Sequence, residues 1–317
     1  MSRTMVMARA VQDSGARAEV YVARQVAVDL GEVRVSVVPF TQAQLGPSLA
    51  EAGDDVVVML DLPDEAVAPL AWLVDVPVFR AAFRMFGPVG SSVEHVSITA
   101  AYRPDEIEHD ERLPLVRLAG WSGIVIRPGL FDARQHGTET TSVLITMGGS
   151  DPHDLTSRAC AALAGFGDRS DIVVAVGAGN PRFDDLASAY GSVMTIVRPT
   201  AGEFDSLLKT ATVAVINGGL TRYECIAAGT PFVALAIHER QAAITREVTS
   251  RGFGLDLGPF DRVRPDDLRS AVERLLTDTA LRNEMIATSH AHVRQDAPAR
   301  LVAWVNGLRS TLPWRAA

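Results

Sequence analysis

The chain has 317 residues, of which 47% are hydrophobic and 21% are charged, a composition typical of a soluble globular protein with two domains. Its formal net charge of −8 disfavours a nucleic-acid partner, because neutralising phosphates requires a basic surface. No apolar run reaches the roughly 18 residues of a membrane helix, and no basic-then-apolar leader opens the chain. We therefore predict a cytoplasmic protein without a membrane partner.

The cysteine and histidine spacings disfavour redox chemistry and metal binding. Cys160 and Cys225 each lie in a predicted helix without C-x-x-C spacing, which is typical of buried cysteines rather than reactive thiols. The histidines do not pair at metal-ligand spacing, and Asp-x-Asp does not occur. We expect neither a metal nor a resident cofactor.

The first half of the chain opens with an amphipathic helix, predicted between Arg3 and Gly15. Apolar runs that predict strands follow it at EVYVA (19–23), VRVSVVPF (33–40), DVVVMLDL (55–62), VPVFRAAF (76–83) and HVSITAAY (95–102). A doubly wound domain normally opens with a strand and a phosphate-facing loop before its first helix. We expect the first domain to lack this opening strand, unless the true start lies upstream of Met1.

The second half alternates apolar strand runs with helical segments. The runs are VLITM (143–147), IVVAV (172–176), VMTIV (193–197), VAVIN (213–217) and FVALA (232–236). Strands that are apolar on both faces and alternate with helices predict a parallel sheet covered on both sides. We predict two Rossmann-like α/β domains, residues 1–135 and 136–317, with ligands bound in the cleft between them.

Two segments that follow predicted strands carry consecutive glycines. The first glycine loop is Gly148-Gly149-Ser150, and the second, which follows Asn217, is Gly218-Gly219-Leu220-Thr221. Glycine lets a ligand approach the main chain, and the free N–H groups of the next helix attract anions. The pair favours a diphosphate site, although tight turns between strand and helix would also explain the glycines.

Thr221 and Glu224 have the spacing of a capping box, in which Glu224 would bind the first backbone N–H of the helix. The alternative is a carboxylate that accepts hydrogen bonds from the ribose hydroxyls of a nucleotide. The residues by themselves do not decide between these two roles.

The motif GGLTRYE (218–224), followed by AAGTP (227–231) and Gln241, resembles the donor-binding signature of GT-B nucleotide-sugar enzymes. It is similar to the group of the pseudaminic-acid UDP-sugar hydrolase and the spore-coat polysaccharide proteins, a likeness that extends to cytosylglucuronate-synthase-related glycosyltransferases, and more distantly to the lipid-II-forming N-acetylglucosaminyltransferase. LITMGGSDPHDLT (144–156) and GIVIRPGLF (123–131) resemble the same group. The likeness is strong over residues 143–290 and weak in the first domain.

The resemblance implies a GT-B fold and a role for each residue of the signature. Glu224 would hold the ribose, and Leu220 and Thr221 would offer main-chain N–H groups to the diphosphate. Gln241 would face the donor sugar, and the loop at Arg198 would flank the uracil.

The chain also departs from the hydrolases of this group. Their Gly-x-Gly-His loop, which carries the expected base, has no counterpart after Met1, and Arg240 replaces an asparagine of their motif. Asp61 and Asp64 are weak candidates for a replacement base, although capping the next helix is an alternative role for them. His95 and His238 have a suitable side chain, and His238 stands close to Gln241.

We therefore predict a metal-independent, inverting glycosyltransferase that transfers a sugar from UDP to a small acceptor such as a nucleobase. A UDP-sugar hydrolase and a non-catalytic nucleotide-sugar-binding protein remain alternatives. A first domain without its opening strand would expose a sheet edge, so we also expect self-association.

Overall fold

The computed structural model describes residues 3–22, 34–37, 41–52, 56–61, 68–84, 93–99, 115–120, 123–131, 142–166, 171–290, 292 and 295–314. The chain forms two compact units. Unit 1 combines Met1–Ile126 with Gln295–Ala317, and unit 2 is Arg127–Arg294. Asp64 lies outside the described residues.

The strands of the described residues are β1 (Glu19–Val22), β2 (Arg34–Val37), β3 (Val57–Asp61), β4 (Phe79–Arg84), β5 (Val96–Thr99), β6 (Val116–Ala119), β7 (Ser142–Thr146), β8 (Asp171–Ala175), β9 (Thr195–Val197), β10 (Val213–Asn217), β11 (Phe232–Ala236) and β12 (Gly254–Pro259). The α-helices are α1 (Arg3–Asp13), α2 (Gln42–Ala52), α3 (Leu155–Leu163), α4 (Phe183–Tyr190), α5 (Ala201–Thr210), α6 (Thr221–Ala228), α7 (Glu239–Thr249), α8 (Pro265–Thr277), α9 (Thr279–His290) and α10 (Ala297–Thr311). None of these helices is long and apolar enough to cross a membrane.

Unit 2 contains one parallel sheet of six strands in the order β12-β11-β10-β7-β8-β9. Numbered from its own first strand, this is the order 6-5-4-1-2-3 of a doubly wound sheet. The two central strands, β7 and β10, pair side by side, and chain connections leave them in opposite directions. The open crevice of such a sheet lies at the carboxyl ends of these two strands, where both glycine loops begin.

The described strands of unit 1 are also parallel, but they form two sheets. β3, β4, β5 and β6 form a four-stranded sheet, and β1 pairs with β2 alone. As expected, the first described element is a helix rather than a strand. The core packs Val6 and Met7 of α1 and Leu301 of α10 against Phe79 and Ile98 of the larger sheet.

The sequence predicts ten of the strands and misses β6 and β12. β6, VRLA, is short and carries a charged residue, while β12, GLDLGP, contains two glycines and an aspartate. Both lie at an edge of their sheet in the described residues, but so do β3 and β9, which the sequence predicts. Continuous apolar runs identify strands, and β6 and β12 are missed because charged residues and glycines interrupt the run.

The compact units differ from the predicted division at residues 135 and 136. The observed boundary falls between Ile126 and Arg127, and the last helix belongs to unit 1. The reason is packing, because Leu301, Val302 and Val305 of α10 are buried in the same core as the residues of α1.

Candidate functional site

Asn217, the last residue of β10, connects the two glycine loops of unit 2. Its Nδ2 donates to the carbonyl oxygen of Met147 at 2.8 Å, just before the first glycine loop. Its Oδ1 accepts from the N–H of Gly219 at 3.1 Å, within the second. The side chain therefore fixes both loops relative to the ends of β7 and β10.

The glycines of the second loop are required by the protein's own packing. A Cβ at Gly218 would lie 2.6 Å from Thr245 Oγ1 and 2.9 Å from Gln241 Cγ, and one at Gly219 would lie 2.8 Å from Asn217 Oδ1. In the first loop Gly148 has a positive φ of +80°, a conformation that favours glycine. Of the four glycines in the two loops, only Gly149 has room for a side chain, because no heavy atom lies within 4 Å of the position that a Cβ would take.

The first turn of α6 has main-chain donors without partners. The N–H groups of Arg222, Tyr223 and Glu224 bind the carbonyl oxygens of Gly219 and Leu220. In the described residues the N–H groups of Leu220 and Thr221 make no hydrogen bond, and no side chain caps the helix. Free N–H groups at a helix start carry a partial positive charge and bind anions.

Glu224 does not form the capping box that its spacing with Thr221 allows. Its Oε1 instead accepts a hydrogen bond from Arg127 Nη1 at 2.6 Å. Arg127 also donates through Nε to Asp205 Oδ1 at 2.8 Å. Burial lowers the pKa of Arg127, but the two carboxylates raise it, and the net shift is upward. The guanidinium therefore remains charged and keeps Glu224 away from the helix start.

Arg222 holds the second glycine loop from the inside. The side chain is buried, and Nη1 donates to the Gly218 carbonyl oxygen and to Thr245 Oγ1, the latter at 3.3 Å. Its guanidinium stacks over the ring of Tyr223, 4.7 Å from the centroid. Because the Gly218 carbonyl is fixed toward α7, the loop backbone cannot rotate freely about this residue.

Gln241 lies beside Gly218 and is almost fully buried. Its Oε1 accepts from the N–H of Ile237 at 2.6 Å, while its Nε2 donates to no group in the described part of the chain. His238 Nδ1 accepts from the N–H of Gln241 at 3.2 Å and thus caps α7. Protonation of Nδ1 would break this cap, which disfavours His238 as a base through that nitrogen.

Arg198 follows β9 and contacts the loop after β8. Its Nη2 donates to the Asn180 carbonyl oxygen at 2.7 Å, and its guanidinium lies 4.8 Å from the centre of the Phe183 ring. The N–H of Gly179, in the same loop, donates to the Gly149 carbonyl oxygen at 2.9 Å. Arg198 is therefore connected through one loop to the first glycine loop, where Ser150 is exposed.

The helix after the first glycine loop differs from α6, because an aspartate already occupies its start. Asp151 Oδ1 accepts from the N–H of Leu155 at 2.9 Å, and Oδ2 accepts from the N–H and the hydroxyl of Thr156 at 2.9 and 2.6 Å. The first N–H groups of α3 thus bind the chain's own carboxylate. Of the two helix starts expected to attract an anion, that of α6 is the open one.

The candidate bases of unit 1 are engaged in other contacts. Asp61 accepts from Thr4 Oγ1 at 2.7 Å and from Arg3 Nε at 3.1 Å, so its described partners lie in α1 rather than in a following helix. His95 is buried, and its Nδ1 accepts from the N–H of Arg80 at 3.0 Å. Burial, and then the charge of Arg80, lower the pKa of His95 to about 4.

Comparisons with known proteins were made by family, sequence and structure. No family model matches the chain. Over 166 residues the chain is 26% identical to the spore coat polysaccharide biosynthesis protein SpsG of Bacillus subtilis (strain 168), a match covering 50% of this chain and 49% of SpsG. The aligned part thus spans about half the length of that protein.

Two solved structures show similarity over nearly the whole chain. The spinosyn forosaminyltransferase SpnP is 12% identical, with a TM-score of 0.66, and the match covers 98% of this chain and 97% of that one. A UDP-N-acetylglucosamine 2-epimerase is also 12% identical, with a TM-score of 0.60 and coverage of 98% and 95%. The chain has the GT-B fold. At these identities the structural likeness establishes the fold alone, since both a transferase and an epimerase share it.

Within this GT-B fold, Arg127 and Asp205 are the site residues that sequence reasoning missed. Arg127 lies in the apolar run GIVIRPGLF, and a charged residue inside such a run signals a buried ion pair. The sequence does not identify the partners, because Asp205 and Glu224 are 78 and 97 residues away. Among the described residues, no group of three or more His, Cys, Asp or Glu side chains could hold a metal ion.

Proposed function

We propose that the protein is a nucleotide-sugar-dependent glycosyltransferase with a UDP-sugar as its donor. The observation that carries this proposal is the first turn of α6. Two main-chain N–H groups there, of Leu220 and Thr221, have no partner in the described residues, and the neighbouring Glu224 is held out of the helix cap by Arg127. One end of this site is suited to a diphosphate and the other to hydroxyl donors.

The proposed mechanism rests on binding of the leaving group. The diphosphate of UDP accepts hydrogen bonds from Leu220 and Thr221, and a ribose hydroxyl donates to Glu224. Fixed main-chain dipoles stabilise the charge that develops on the diphosphate while the acceptor attacks the anomeric carbon and inverts it. Gln241 Nε2 donates to the sugar, and the loop at Arg198 flanks the uracil. No metal ion is needed in this scheme.

The comparisons support a nucleotide-sugar enzyme in two ways. The relative SpsG is named for polysaccharide biosynthesis, and one structural neighbour is named a forosaminyltransferase. The other neighbour acts on UDP-N-acetylglucosamine, which is also a UDP-sugar. A small acceptor such as a nucleobase belongs to the proposal through the resemblance to cytosylglucuronate-synthase-related enzymes.

Hydrolysis of the UDP-sugar is the second candidate function. The contacts of the three described candidate bases argue against it. Asp61 binds Arg3 and Thr4, and His95 is buried and neutral near pH 7. His238 caps α7 through Nδ1. A hydrolase needs a base that activates water, and these three groups are committed to other partners. A ring nitrogen of a nucleobase acceptor attacks through its own lone pair and releases its proton to solvent after the bond to UDP has broken, so the proposed transfer does not require such a base.

The deciding experiment incubates the purified protein with a panel of UDP-sugars, with and without cytosine and other small acceptors, and analyses the products by mass spectrometry. UDP together with a glycosylated acceptor supports the proposal. UDP formed without any acceptor identifies a hydrolase, and a changed sugar on intact UDP, separated by chromatography, identifies an epimerase. Binding without turnover of any donor indicates a nucleotide-sugar-binding protein.

A variant pair ties the result to the proposed site. Glu224→Gln removes the charged acceptor, and we expect it to weaken UDP binding about tenfold, the loss typical of one charge-assisted hydrogen bond. Glu284→Gln makes the same chemical change on the exposed face of α9 and is expected to bind UDP as the wild type does. Equal binding by all three proteins would contradict the site.

A further inference from the structure

We infer that Arg127 is the residue that positions Glu224 for the nucleotide, and that Asp205 in turn holds Arg127. This inference rests on the proposed function, because it assigns Glu224 to the ribose. Two further residues would then determine the nucleotide specificity of the site. They are Arg127, which precedes Pro128, and Asp205 on α5.

The guanidinium of Arg127 divides its donors between two carboxylates. Nη1 binds Glu224 Oε1 at 2.6 Å, whereas Nε and Nη2 both bind Asp205 Oδ1, at 2.8 and 2.5 Å. All three side chains are nearly buried: Arg127 is 9% exposed, Glu224 16% and Asp205 13%. Ion pairs with so little exposure are weakly screened by solvent, so they hold the geometry firmly.

The backbone of Arg127 is fixed from both sides. It precedes Pro128, and a proline restricts the residue before it to the extended region, where Arg127 lies with φ −61° and ψ 134°. From α5, Lys209 Nζ donates to the Gly129 carbonyl oxygen at 3.0 Å. Helix α5 therefore holds this segment through its backbone as well as through Asp205.

The consequence for Glu224 is that its two oxygens have different environments. Oε1 accepts the bond from Arg127, and Oε2 accepts none from the described residues. A carboxylate oxygen has two acceptor sites, so Oε2 can bind both hydroxyls of a ribose. Arg127 thus fixes the rotamer, leaves one oxygen for the ligand and cancels one of the two negative charges that meet at its guanidinium.

A purely structural ion pair is the alternative that the test must separate from positioning. A structural pair would lower stability when broken and would weaken all nucleotides alike. A positioning pair acts on the ribose hydroxyls, so its loss changes the preference between UDP and 2′,3′-dideoxy-UDP. It also leaves Glu224 without the donor that fixes its side chain, so the carboxylate no longer points one oxygen at the ligand.

The experiment measures, by titration calorimetry, the binding of UDP and 2′,3′-dideoxy-UDP to the wild type, Arg127→Met, Arg127→Lys and Asp205→Asn. We expect the wild type to prefer UDP about tenfold, and Arg127→Met to lose this preference while binding the dideoxy ligand within about twofold of wild type. Arg127→Lys keeps the charge without the two-pronged geometry and should recover part of the preference. Arg264→Met, which breaks an exposed pair with Asp267 at the start of α8, is the matched control.

Asp205→Asn provides the second readout. Because Asp205 holds Arg127, we expect this variant to lose part of the preference for UDP while it binds the dideoxy ligand as the wild type does. Equal weakening of both ligands, or no change at all, would overturn the inference while leaving the proposed function intact. Failure of the wild type to bind either ligand would overturn both. If Arg127→Met does not fold, Arg127→Lys and Asp205→Asn decide by the same preference.

Discussion

Units 1 and 2 share the alternation of parallel strands and helices, but among the described strands only those of unit 2 form a continuous sheet. In unit 2 the first strand, β7, lies at the centre between β8 and β10. In unit 1 the pair β1-β2 and the sheet β3-β4-β5-β6 are separate, and no strand of the described residues joins them. In a doubly wound order the opening strand is the one from which the sheet grows in both directions, and no strand of the described part of unit 1 has this place.

Helix α1 contacts both sheets of unit 1. Its Arg3 and Thr4 bind Asp61 at the end of β3, and its Met5 and Ala8 pack with Val20 of β1. A strand would supply main-chain hydrogen bonds to both neighbours, whereas these contacts come from a few side chains. We therefore expect unit 1 to be the less stable of the two units.

The sequence provides a separate probe for each unit. The tryptophans all belong to unit 1, at positions 72, 121, 304 and 314, and the cysteines, Cys160 and Cys225, both belong to unit 2. Both thiols are fully buried, so their labelling requires unit 2 to open. Tryptophan fluorescence and thiol labelling during urea unfolding thus report on the units individually, and fluorescence should change at the lower urea concentration.

The largest expected effect is that of Gly177→Ala in unit 2. A Cβ at this position would lie 2.3 Å from the Gly148 carbonyl oxygen and 2.4 Å from that of Gly149, both backbone atoms that cannot move aside without shifting the first glycine loop. We expect a loss of roughly 3 kcal/mol of unfolding free energy or more, measured by thiol labelling in urea. Unit 2 would then no longer be the more stable unit.

Gly165→Ala is the control for this change, because nothing lies within 4 Å of its built Cβ. It should leave thiol labelling within about 0.5 kcal/mol of the wild type, as is usual for substitutions away from close contacts. A Gly177→Ala protein as stable as this control would show that the first glycine loop adapts easily.

The predictable parts of the molecule are those encoded by local sequence. The central strands β7, β10 and β11 are buried on both faces, and their apolar runs identify them. The capping box of Thr221 and Glu224 is also a local pattern, yet it does not form, because Arg127 binds Glu224 from 97 residues away. A contact between such distant residues depends on the fold, and the local spacing does not contain it.

The second-largest expected effect is the pH dependence of the stability of unit 1. With its pKa lowered to about 4 by burial and then by Arg80, His95 binds fewer protons in the folded chain than in the unfolded chain, where the pKa is about 6.5. Stability therefore falls as the pH decreases from about 6.5 toward 4. We expect unit 1 to lose about 2 kcal/mol between pH 6.5 and 4.5 through this residue, followed by tryptophan fluorescence in urea.

His95→Gln should remove that part of the pH dependence, and the difference between wild type and variant isolates it from carboxylates that titrate in the same range. Trp314, whose ring lies 5.5 Å from the imidazole, reports directly on this region. His153→Gln, an exposed histidine of unit 2, is the control and should follow the wild-type curve. Parallel curves for wild type and His95→Gln would contradict the effect of burial.

The smallest effect is expected at the start of α3, where Asp151 accepts hydrogen bonds from the first N–H groups of the helix. The corresponding N–H groups of α6 have no partner in the described residues. Asp151→Ala removes three hydrogen bonds to Leu155 and Thr156 and should destabilise the helix by about 1 kcal/mol.

Cys160 lies on α3 and reports on this change. Burial, together with the nearby Asp154, raises the pKa of its thiol to about 12, so the thiol reacts only when the helix opens. We expect its labelling to accelerate about fivefold while that of Cys225 on α6 stays unchanged. Equal acceleration at both cysteines would mean that unit 2 opens as a whole, and that the start of α3 is not an independent local element.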